Sequence, residues 1–315
     1  MDGGNCTQVT EFLFTGFREH PGFQVTLFVL FLLIYVITLM GNLGMVFLIR
    51  TDARLKIPMY YFLGNLAVVD FCFSTVVTPN MLADLLADKK AISYSGCVAQ
   101  VFLLCFFGVA ECFLLATMAY DRYVAICAPL MYTVTMSPRL CAQLVIGSLI
   151  AGWLNGMAQA TGILQLTFCG PNVINLFFCD VSPLLSLSTS DATISHIVLL
   201  TVAIGFGMCS SFIVLTSYIF ILSAILRMHS TEGKRKAFNT CTSHLTVVSI
   251  FYGTCLFIHV KPRTNDRHPE DKWASVFYTV VTPMLNPLIY SLRNKEVKDA
   301  LKRVISRTKI SSITN

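Results

Sequence analysis

Two acidic residues lie deep in apolar runs, where a carboxylate is costly to bury. Asp70 and Glu111 are the only acids far from the ends of such runs. Ionisable residues inside a membrane are rare and usually face the interior of a helix bundle or a water-filled cavity. We predict that these two carboxyl groups either are hydrogen-bonded structural acids or share a sodium ion or a proton.

A second charged pair lies in MAYDRYVAIC, residues 118–127. Arg122 follows Glu111 by eleven residues, which is about 16 Å along a helix at 1.5 Å per residue. That distance places Arg122 at the mouth of the span, where its guanidinium can pair with Asp121 or reach water. The pair is either an interfacial anchor or an ion pair that opens, and an ion pair that opens is a suitable two-state element.

The sequence lacks the motifs of membrane enzymes and metal sites. Its 12 cysteines are scattered, no CxxC pair or Cys/His cluster has zinc spacing, and HExxH and GxSxG are absent. Four histidines lie in separate segments of the chain, at His196, His229, His244 and His259. We therefore expect no enzyme activity, no metal and no cofactor beyond the sodium ion or proton, with most cysteines buried as small hydrophobic residues.

The composition indicates the kind of chain that holds these residues. It has 315 residues, 55% of them hydrophobic and 13% charged, with a mean hydropathy of +0.68. Soluble domains carry about 25% charged residues, so the sequence predicts a membrane protein. The first residues are polar and acidic, which argues against a cleavable signal peptide and for an insertion signal in the first apolar run.

Seven apolar runs are long enough to cross a bilayer, which takes about 20 helical residues. The predicted fold is an all-α membrane protein, a seven-transmembrane helix bundle. The stretch TFCGPNVINLFFCD separates the fourth run from the loop that follows it. The predicted spans are residues 23–49, 58–86, 94–125, 140–164, 195–226, 237–260 and 273–292, between an extracellular N-terminus at 1–22 and a cytoplasmic helix and tail at 293–315.

The distribution of charge orients the bundle. Lys and Arg are concentrated in the loops on the side of the C-terminus, and the opposite loops are acidic on balance. The positive-inside rule then predicts an extracellular N-terminus and a cytoplasmic C-terminus in the plasma membrane. The net charge of +6 therefore reflects topology and contact with anionic membrane lipids, and no nucleic-acid partner is expected. Asn5 lies in an N-x-T sequon, which predicts glycosylation outside the cell.

The segment after the last span has the pattern of an amphipathic helix on the inner membrane face. Apolar residues recur at helical spacing among basic residues. The apolar set is Val297, Ala300, Leu301, Val304 and Ile305, and the basic set is Lys298, Lys302 and Arg303.

A set of motifs resembles the olfactory receptors, the odorant-sensing branch of the rhodopsin-like G-protein-coupled receptors. The motifs are PMYYFLGNLAVVD at 58–70, MAYDRYVAIC at 118–127, KAFNTCTSHL at 236–245 and PMLNPLIYSLRN at 283–294, with Gly41-Asn42 and Ser217-Tyr218. One such motif alone has little weight, but the set covers essentially the whole chain in order. The resemblance implies a receptor that binds a small-molecule odorant and activates a heterotrimeric G protein of the stimulatory olfactory type, raising cyclic AMP.

The resemblance also implies which residues switch the receptor. The activation and G-protein coupling residues would be Asp121, Arg122, Tyr218, His244, Asn286, Pro287 and Tyr290. On activation, Arg122 would leave Asp121 and interact with the G protein and with Tyr218. Pro287 removes a backbone hydrogen bond, which gives a physical reason for a hinge. Asp70, Glu111 and Asn286 would form a polar network in the middle of the membrane.

The sixth span departs from most rhodopsin-like receptors. Phe251-Tyr252-Gly253 stands where those receptors carry a tryptophan and a proline, and no proline lies within residues 237–260. A proline-hinged sixth helix is therefore not expected, and Tyr252 is the candidate for the ligand-facing trigger.

The loop cysteines match the disulfide pattern of the family at one pair of positions and depart from it at another. The family joins the positions of Cys97 and Cys179 by a disulfide, on a face that is oxidising. Cys169 matches one member of a further loop pair, but the position of its partner is Thr189. We therefore expect Cys169 to be a free thiol or to pair unusually.

The resemblance places the ligand pocket in the outer half of the bundle, between the third, fifth, sixth and seventh helices. An almost wholly apolar pocket without an acid suits a small, neutral, volatile ligand. For the aliphatic members, plain helix packing is the alternative. The predicted ligand-binding residues are Leu104, Cys105, Gly108, Val109, Val202, Ala203, Phe206, Tyr252, Cys255, His259, Val276 and Thr279.

A secondary transporter is the main alternative function. Asp70 and Glu111 would then bind protons or sodium ions during transport. Transporters often carry inverted repeats and paired broken helices. The sequence shows no repeat, and seven spans do not divide into duplicated halves, so we favour the receptor.

Overall fold

The computed structural model describes residues 9–16, 21–87, 89–189, 193–260 and 269–313. Helices make up most of this part of the chain. In chain order they are α1 Gln24–Thr51, α2 Pro58–Leu86, α3 Tyr94–Cys127, α4 Tyr132–Thr135, α5 Pro138–Leu164, α6 Val181–Leu187, α7 Thr193–Arg227, α8 Thr231–Val260, α9 Pro269–Val276, α10 Thr282–Arg293 and α11 Lys295–Ile313.

Within the described residues, six helices are long and apolar enough to cross a membrane, judged by length and composition. They are α1, α2, α3, α5, α7 (from Leu200) and α8. The seventh predicted span is built differently, because α9 and α10 are joined by the π-helical segment Phe277–Val281. The helical path is nevertheless unbroken from residue 269 to 293, so the chain forms a bundle of seven helical columns.

Local sequence explains where the long helices begin. Ser93 precedes α3, and its side chain accepts a hydrogen bond from the Gly96 N–H at 3.1 Å. Ser137 caps α5 in the same way. Prolines occupy the first turns of α2 and α5, where a missing N–H costs nothing because that group has no helical partner.

The π-helical segment has a cause in the sequence. Pro283 lies two residues after its end. It has no N–H to donate to the carbonyl of Thr279, four residues earlier, and its ring also crowds that carbonyl. The backbone upstream widens instead, and the Thr282 hydroxyl donates to the Phe277 carbonyl at 3.1 Å. The irregularity of the seventh column thus lies at residues 277–281, whereas α10 continues through Pro287, where a hinge was predicted.

α3 is the central helix, and α5 packs against it through two glycines. A Cβ at Gly156 would lie 2.8 Å from the Phe102 carbonyl oxygen, and a Cβ at Gly152 would overlap the carbonyl of Phe106. Glycine is therefore required at both positions, because the two backbones approach too closely for any side chain.

A small sheet covers one end of the bundle, which we call the sheet end. Its strands are β1 Glu11–Phe14, β2 Ala91–Ser93 and β3 Val173–Ile174. The central strand β1 pairs antiparallel with β2, Leu13 facing Ala91, and parallel with β3, Phe14 facing Ile174. Phe12 and Phe14 are buried, so the strand packs its aromatic side chains onto the bundle.

Disulfides hold the loop above this end. Cys97 and Cys179 are joined, with their Cα atoms 5.5 Å apart, as the resemblance implies. Cys169 is also disulfide-bonded, so the expectation of a free thiol is wrong and the unusual pairing holds. Thr189 is held by hydrogen bonds instead, since its N–H and its hydroxyl both donate to the Thr167 carbonyl, at 3.0 and 3.1 Å.

The opposite end, which we call the tail end, carries α11. Val297 and Ala300 are buried against the bundle, whereas Leu301 is 47% exposed and faces away from it. The Arg303 guanidinium donates twice to Asp52, at 2.6 and 3.1 Å. This bond lowers the pKa of the Asp52 carboxyl.

Two clusters of buried hydrophobic side chains fill the bundle. The tail-end cluster includes Leu63, Leu114 and Val247. The sheet-end cluster includes Val77 and Phe177. Most of the predicted functional residues lie at the junction of these clusters or on the tail-end side of it.

Candidate functional site

The two membrane carboxyl groups meet at Asn286. The Asn286 Nδ2 donates to Asp70 Oδ2 at 2.9 Å and to Glu111 Oε1 at 3.1 Å. All three side chains are buried, at 1 to 2% exposure. Three helices, α2, α3 and α10, are therefore tied together by one amide group.

The contact between the two buried acids constrains the charge that they can carry. Asp70 and Glu111 are also within hydrogen-bonding reach of each other, and two carboxyl groups form such a bond only when one is protonated. A second negative charge at this depth would be strongly unfavourable without a counter-ion. Asp70 Oδ1 is buried and accepts no hydrogen bond from the described residues, so a free acceptor remains for a proton or a cation.

The Gly41-Asn42 motif supports the same region from α1. The Asn42 Nδ2 donates to the carbonyl of Pro283, in the first turn of α10, at 3.1 Å. A Cβ at Gly41 would lie 3.1 Å from the Pro287 ring. The motif thus allows α1 to pack closely against α10, which holds Asn286 in place.

At the tail end, Asp121 and Arg122 form the expected ion pair. Arg122 Nε lies 3.9 Å from Asp121 Oδ2, and the two side chains are 10% and 1% exposed. The pair is buried, so its charges are screened little by solvent. Asp121 has a second partner that the sequence did not reveal, because the Tyr132 hydroxyl in α4 donates to its Oδ1 at 2.8 Å.

A second contact, close by, joins α7, α8 and α3. Tyr218 Oη lies 2.6 Å from His244 Nδ1, and His244 Nε2 lies 3.1 Å from the Leu115 carbonyl oxygen. A carbonyl only accepts, so Nε2 must carry the proton and Nδ1 must accept from Tyr218. Tyr218 is therefore bonded to His244 in this state, and not to Arg122.

Tyr290 lies in the same part of the bundle. Its side chain is fully buried and its hydroxyl has no hydrogen-bond partner among the described residues. An unsatisfied buried hydroxyl is unusual in a native structure. It indicates a group that gains its partner in another state or through a bound water.

Five of the predicted ligand residues pack in or against one of the two hydrophobic clusters. Leu104, Cys105 and Val276 belong to the sheet-end cluster, and Tyr252 and Cys255 pack on the tail-end cluster. The remaining members are placed as follows: Gly108 and Thr279 buried, Val109, Val202 and Phe206 half-buried, and Ala203 and His259 with side chains outside the described part.

Tyr252 is the most connected member of this set. Its hydroxyl interacts with Ser210 and Ser211 of α7 and lies 3.5 Å from the Cys112 carbonyl oxygen. Its ring packs edge-on against Phe251 at 5.3 Å. It therefore links α3, α7 and α8, as a trigger would require.

Sequence reasoning missed Ser210 and Tyr278. Ser210 is buried and contacts both Tyr252 and Cys112. Tyr278 lies in the π-helical segment with its ring 5.4 Å from Phe73. Neither belongs to a recognisable motif, and a π-turn changes which residues face inward, so no sequence signal would have found Tyr278.

The fold defined by these columns is that of rhodopsin. The chain superposes on squid rhodopsin with a TM-score of 0.67 at 19% identity, over 91% of this chain and 87% of that one. At this level of identity the likeness concerns the fold alone.

The family follows from closer relatives. Residues 31–308 match the olfactory receptor family. Mouse olfactory receptor 5G9 is 56% identical over 98% of this chain and 99% of its own length, and human olfactory receptor 5B21 is 52% identical over 96% and 98%. The chain belongs to the olfactory receptor family. It is a multi-pass membrane protein and a signalling receptor, not an enzyme.

Proposed function

We propose that this chain is an odorant receptor that binds a small, mostly apolar molecule in the outer half of the helix bundle. Binding activates a heterotrimeric G protein of the stimulatory olfactory type and raises cyclic AMP. The observation that carries this proposal is the match to named olfactory receptors over nearly the whole chain. The apolar set around Cys105 and Tyr252 supports a neutral ligand.

The contacts at the tail end suggest how the receptor is held inactive. Arg122 is paired with Asp121, and Tyr218 is bonded to His244. For Arg122 to reach a G protein or Tyr218, both contacts must break. A ligand that shifts Tyr252 would move α8 and thereby His244, because both residues lie on that helix, and the Tyr218 contact would open first.

The carboxyl pair is the proposed ion site of the receptor. Asp70 and Glu111 would hold one proton or one sodium ion, with Asn286 as the shared donor. A proton suits the direct contact between the carboxyl groups, and a sodium ion would separate them while bonding the free Asp70 Oδ1. If sodium is the occupant, agonist potency should depend on sodium concentration in the wild type and not in Asp70→Asn.

We further propose that the receptor resides in the plasma membrane with its N-terminus outside and the tail end in the cytoplasm, among anionic lipids. The excess of Lys and Arg in the tail-end loops supports this orientation. An N-terminal epitope detected on intact cells, and a C-terminal epitope detected only after permeabilisation, is the expected result. The reverse pattern would contradict it.

A ligand panel tests the main proposal. Cells that display the receptor at a measured surface level are exposed to volatile neutral compounds, and cyclic AMP is recorded. At least one compound should raise cyclic AMP in receptor-expressing cells and not in cells that lack the stimulatory G protein. Accumulation of the compound inside receptor-containing vesicles without any G protein would instead favour a transporter.

A further inference from the structure

Tyr278 is a polar side chain at the centre of the bundle with no role in the activation contacts described above. Its ring is fixed from two sides, edge-on at 5.4 Å from Phe73 of α2 and tilted at 6.0 Å from Phe251 of α8. Since the ring has little freedom to rotate away, the position of its hydroxyl is set by the packing.

The hydroxyl points at α3, where Gly108 makes room for it. A Cβ built at Gly108 would lie 3.0 Å from Tyr278 Oη. Such contacts are tighter than those of ordinary side chains, so any larger residue would push the hydroxyl aside. Gly108 shares a helix face with the predicted ligand residues Leu104 and Cys105, so the hydroxyl lies beside the predicted ligand residues of α3.

The present partner of the hydroxyl is a weak one. Tyr278 is hydrogen-bonded to the Cys255 thiol, and a thiol sulfur is a poor acceptor. A ligand carbonyl oxygen in place of the Cys255 sulfur would therefore accept a stronger hydrogen bond from the Tyr278 hydroxyl. Tyr278 is half-buried, whereas the neighbouring Thr279 and Val280 are buried, so its side chain retains surface that a ligand can cover.

The surroundings also limit the charge of the ligand. Gly108, Phe73 and Cys255 are uncharged, and Glu111 lies close enough to interact electrostatically with Tyr278. An anionic ligand would meet no cation among these residues and would be repelled by any charge on Glu111. A neutral molecule with a hydrogen-bond acceptor fits this set of groups.

We propose that the Tyr278 hydroxyl is the hydrogen-bond donor that anchors a neutral carbonyl compound, a ketone, aldehyde or ester, and that Gly108 keeps the space this hydroxyl needs. The inference rests on the proposed odorant-receptor function and names its ligand class. The π-helical segment gives the anchor its place, because it directs Tyr278 inward from the seventh column.

A double-mutant cycle tests the anchor. The probes are medium-chain aliphatic ketones, each paired with the alkane of the same skeleton, and the readout is cyclic AMP at matched surface expression. Tyr278→Phe keeps the ring and removes the hydroxyl. It should weaken ketone potency about three- to tenfold, the range of one net hydrogen bond, and leave alkane potency unchanged.

The second variant tests whether Gly108 keeps the space that the Tyr278 hydroxyl needs. Gly108→Ala should weaken ketone potency when Tyr278 is present, because the new methyl group displaces the hydroxyl. In the Tyr278→Phe background the same change should have no further effect, since the displaced atom is gone. Gly147→Ala is the matched control, because a Cβ at Gly147 would meet nothing within 4 Å.

The outcomes separate the two levels of the proposal. Equal losses for ketone and alkane in Tyr278→Phe, or additive effects of the two substitutions, would overturn the anchor while leaving the receptor function intact. A wild-type receptor that responds to other odorants and to no carbonyl compound would do the same. A wild-type receptor that responds to no odorant of any class would overturn the proposed function itself.

Discussion

At the scale of single residues, the carboxylate of Asp121 has one partner at each oxygen. It holds Arg122 at 3.9 Å through one oxygen and accepts from Tyr132 at 2.8 Å through the other. Burial, with the nearby Asp121, raises the pKa of the Tyr132 hydroxyl, so this group stays protonated and donating at physiological pH. Tyr132 therefore positions the acid that restrains Arg122.

Removing that hydroxyl should raise basal signalling. Tyr132→Phe deletes one hydrogen bond to a charged acceptor, worth about 1.5–3 kcal/mol, and leaves Asp121 less firmly oriented toward Arg122. Basal cyclic AMP per surface receptor should increase several-fold. Tyr35→Phe is the control, because it removes a comparable hydroxyl that bonds Thr75 at an exposed position. Unchanged basal activity in Tyr132→Phe would show that the Tyr132 hydroxyl is not needed to orient Asp121.

Residues whose type is unusual in an apolar run, or that belong to a motif, were easier to predict than residues whose role depends on where the fold places them. Asp70 and Glu111 stood out because acids are rare in apolar runs, and Asn286 came with a motif. Tyr132 and Tyr278 did not, because a tyrosine near a span is ordinary and its partner lies far away in sequence. Only the packing of α4 against α3, and the π-turn in the seventh column, bring these hydroxyls to their partners.

At the scale of helices, the approach of α5 to α3 depends on glycine. Gly156→Ala would place a Cβ 2.8 Å from the Phe102 carbonyl oxygen, which backbone movement must relieve. Such overpacking costs about 1–3 kcal/mol, so the detergent-solubilised receptor should unfold at a lower temperature. Gly147→Ala in the same helix should leave the unfolding temperature unchanged or slightly higher. Equal effects of both substitutions would contradict the close packing.

The docking of α11 depends on charge. Arg303→Glu should free the helix, because it replaces the Asp52 contact with repulsion, and amide hydrogen exchange in α11 should accelerate. Asp52→Arg combined with Arg303→Glu should restore slow exchange. Lys302→Glu, at an exposed neighbour, is the control. If the double swap exchanges as fast as the single variant, the pair does not hold the helix.

The same pair predicts the pH dependence of α11 docking. Arg303 lowers the pKa of Asp52 from its ordinary value of 3.8, so the stabilisation is fully present above that value. It is lost only as pH falls through the lowered pKa. Between mildly acidic and neutral pH this pair should therefore cause no change in the protection of α11 from hydrogen exchange. A sharp loss of protection near neutral pH would implicate another group.

The helices also show where sequence reasoning reached its limit. Apolar runs predicted seven columns, because length and hydropathy are properties of the chain alone. The prolines of the seventh column were harder to interpret. Pro287 lies inside α10 and its role as a hinge stays a prediction, whereas the π-helical distortion lies upstream of Pro283. Both prolines are visible in the sequence, but the sequence does not show that the widened turn forms upstream of Pro283 rather than upstream of Pro287.

At the scale of the whole molecule, helix α8 links the proposed ligand region to the tail end. Predicted ligand residues pack against both hydrophobic clusters, and Arg122 lies at the tail end. α8 carries both Tyr252 and His244, so it connects the two regions directly. In the proposed function, a ligand between the clusters therefore controls Arg122 at the tail end of the bundle.

Agonist-dependent cyclic AMP in Arg122→Ala tests this link most directly. The measurement compares wild type and variant in the same cells at matched surface expression, with an agonist identified on the wild type. The account predicts that the variant reaches the surface and gives no agonist-dependent cyclic AMP. A variant that reaches the surface and responds to the agonist like the wild type would contradict it.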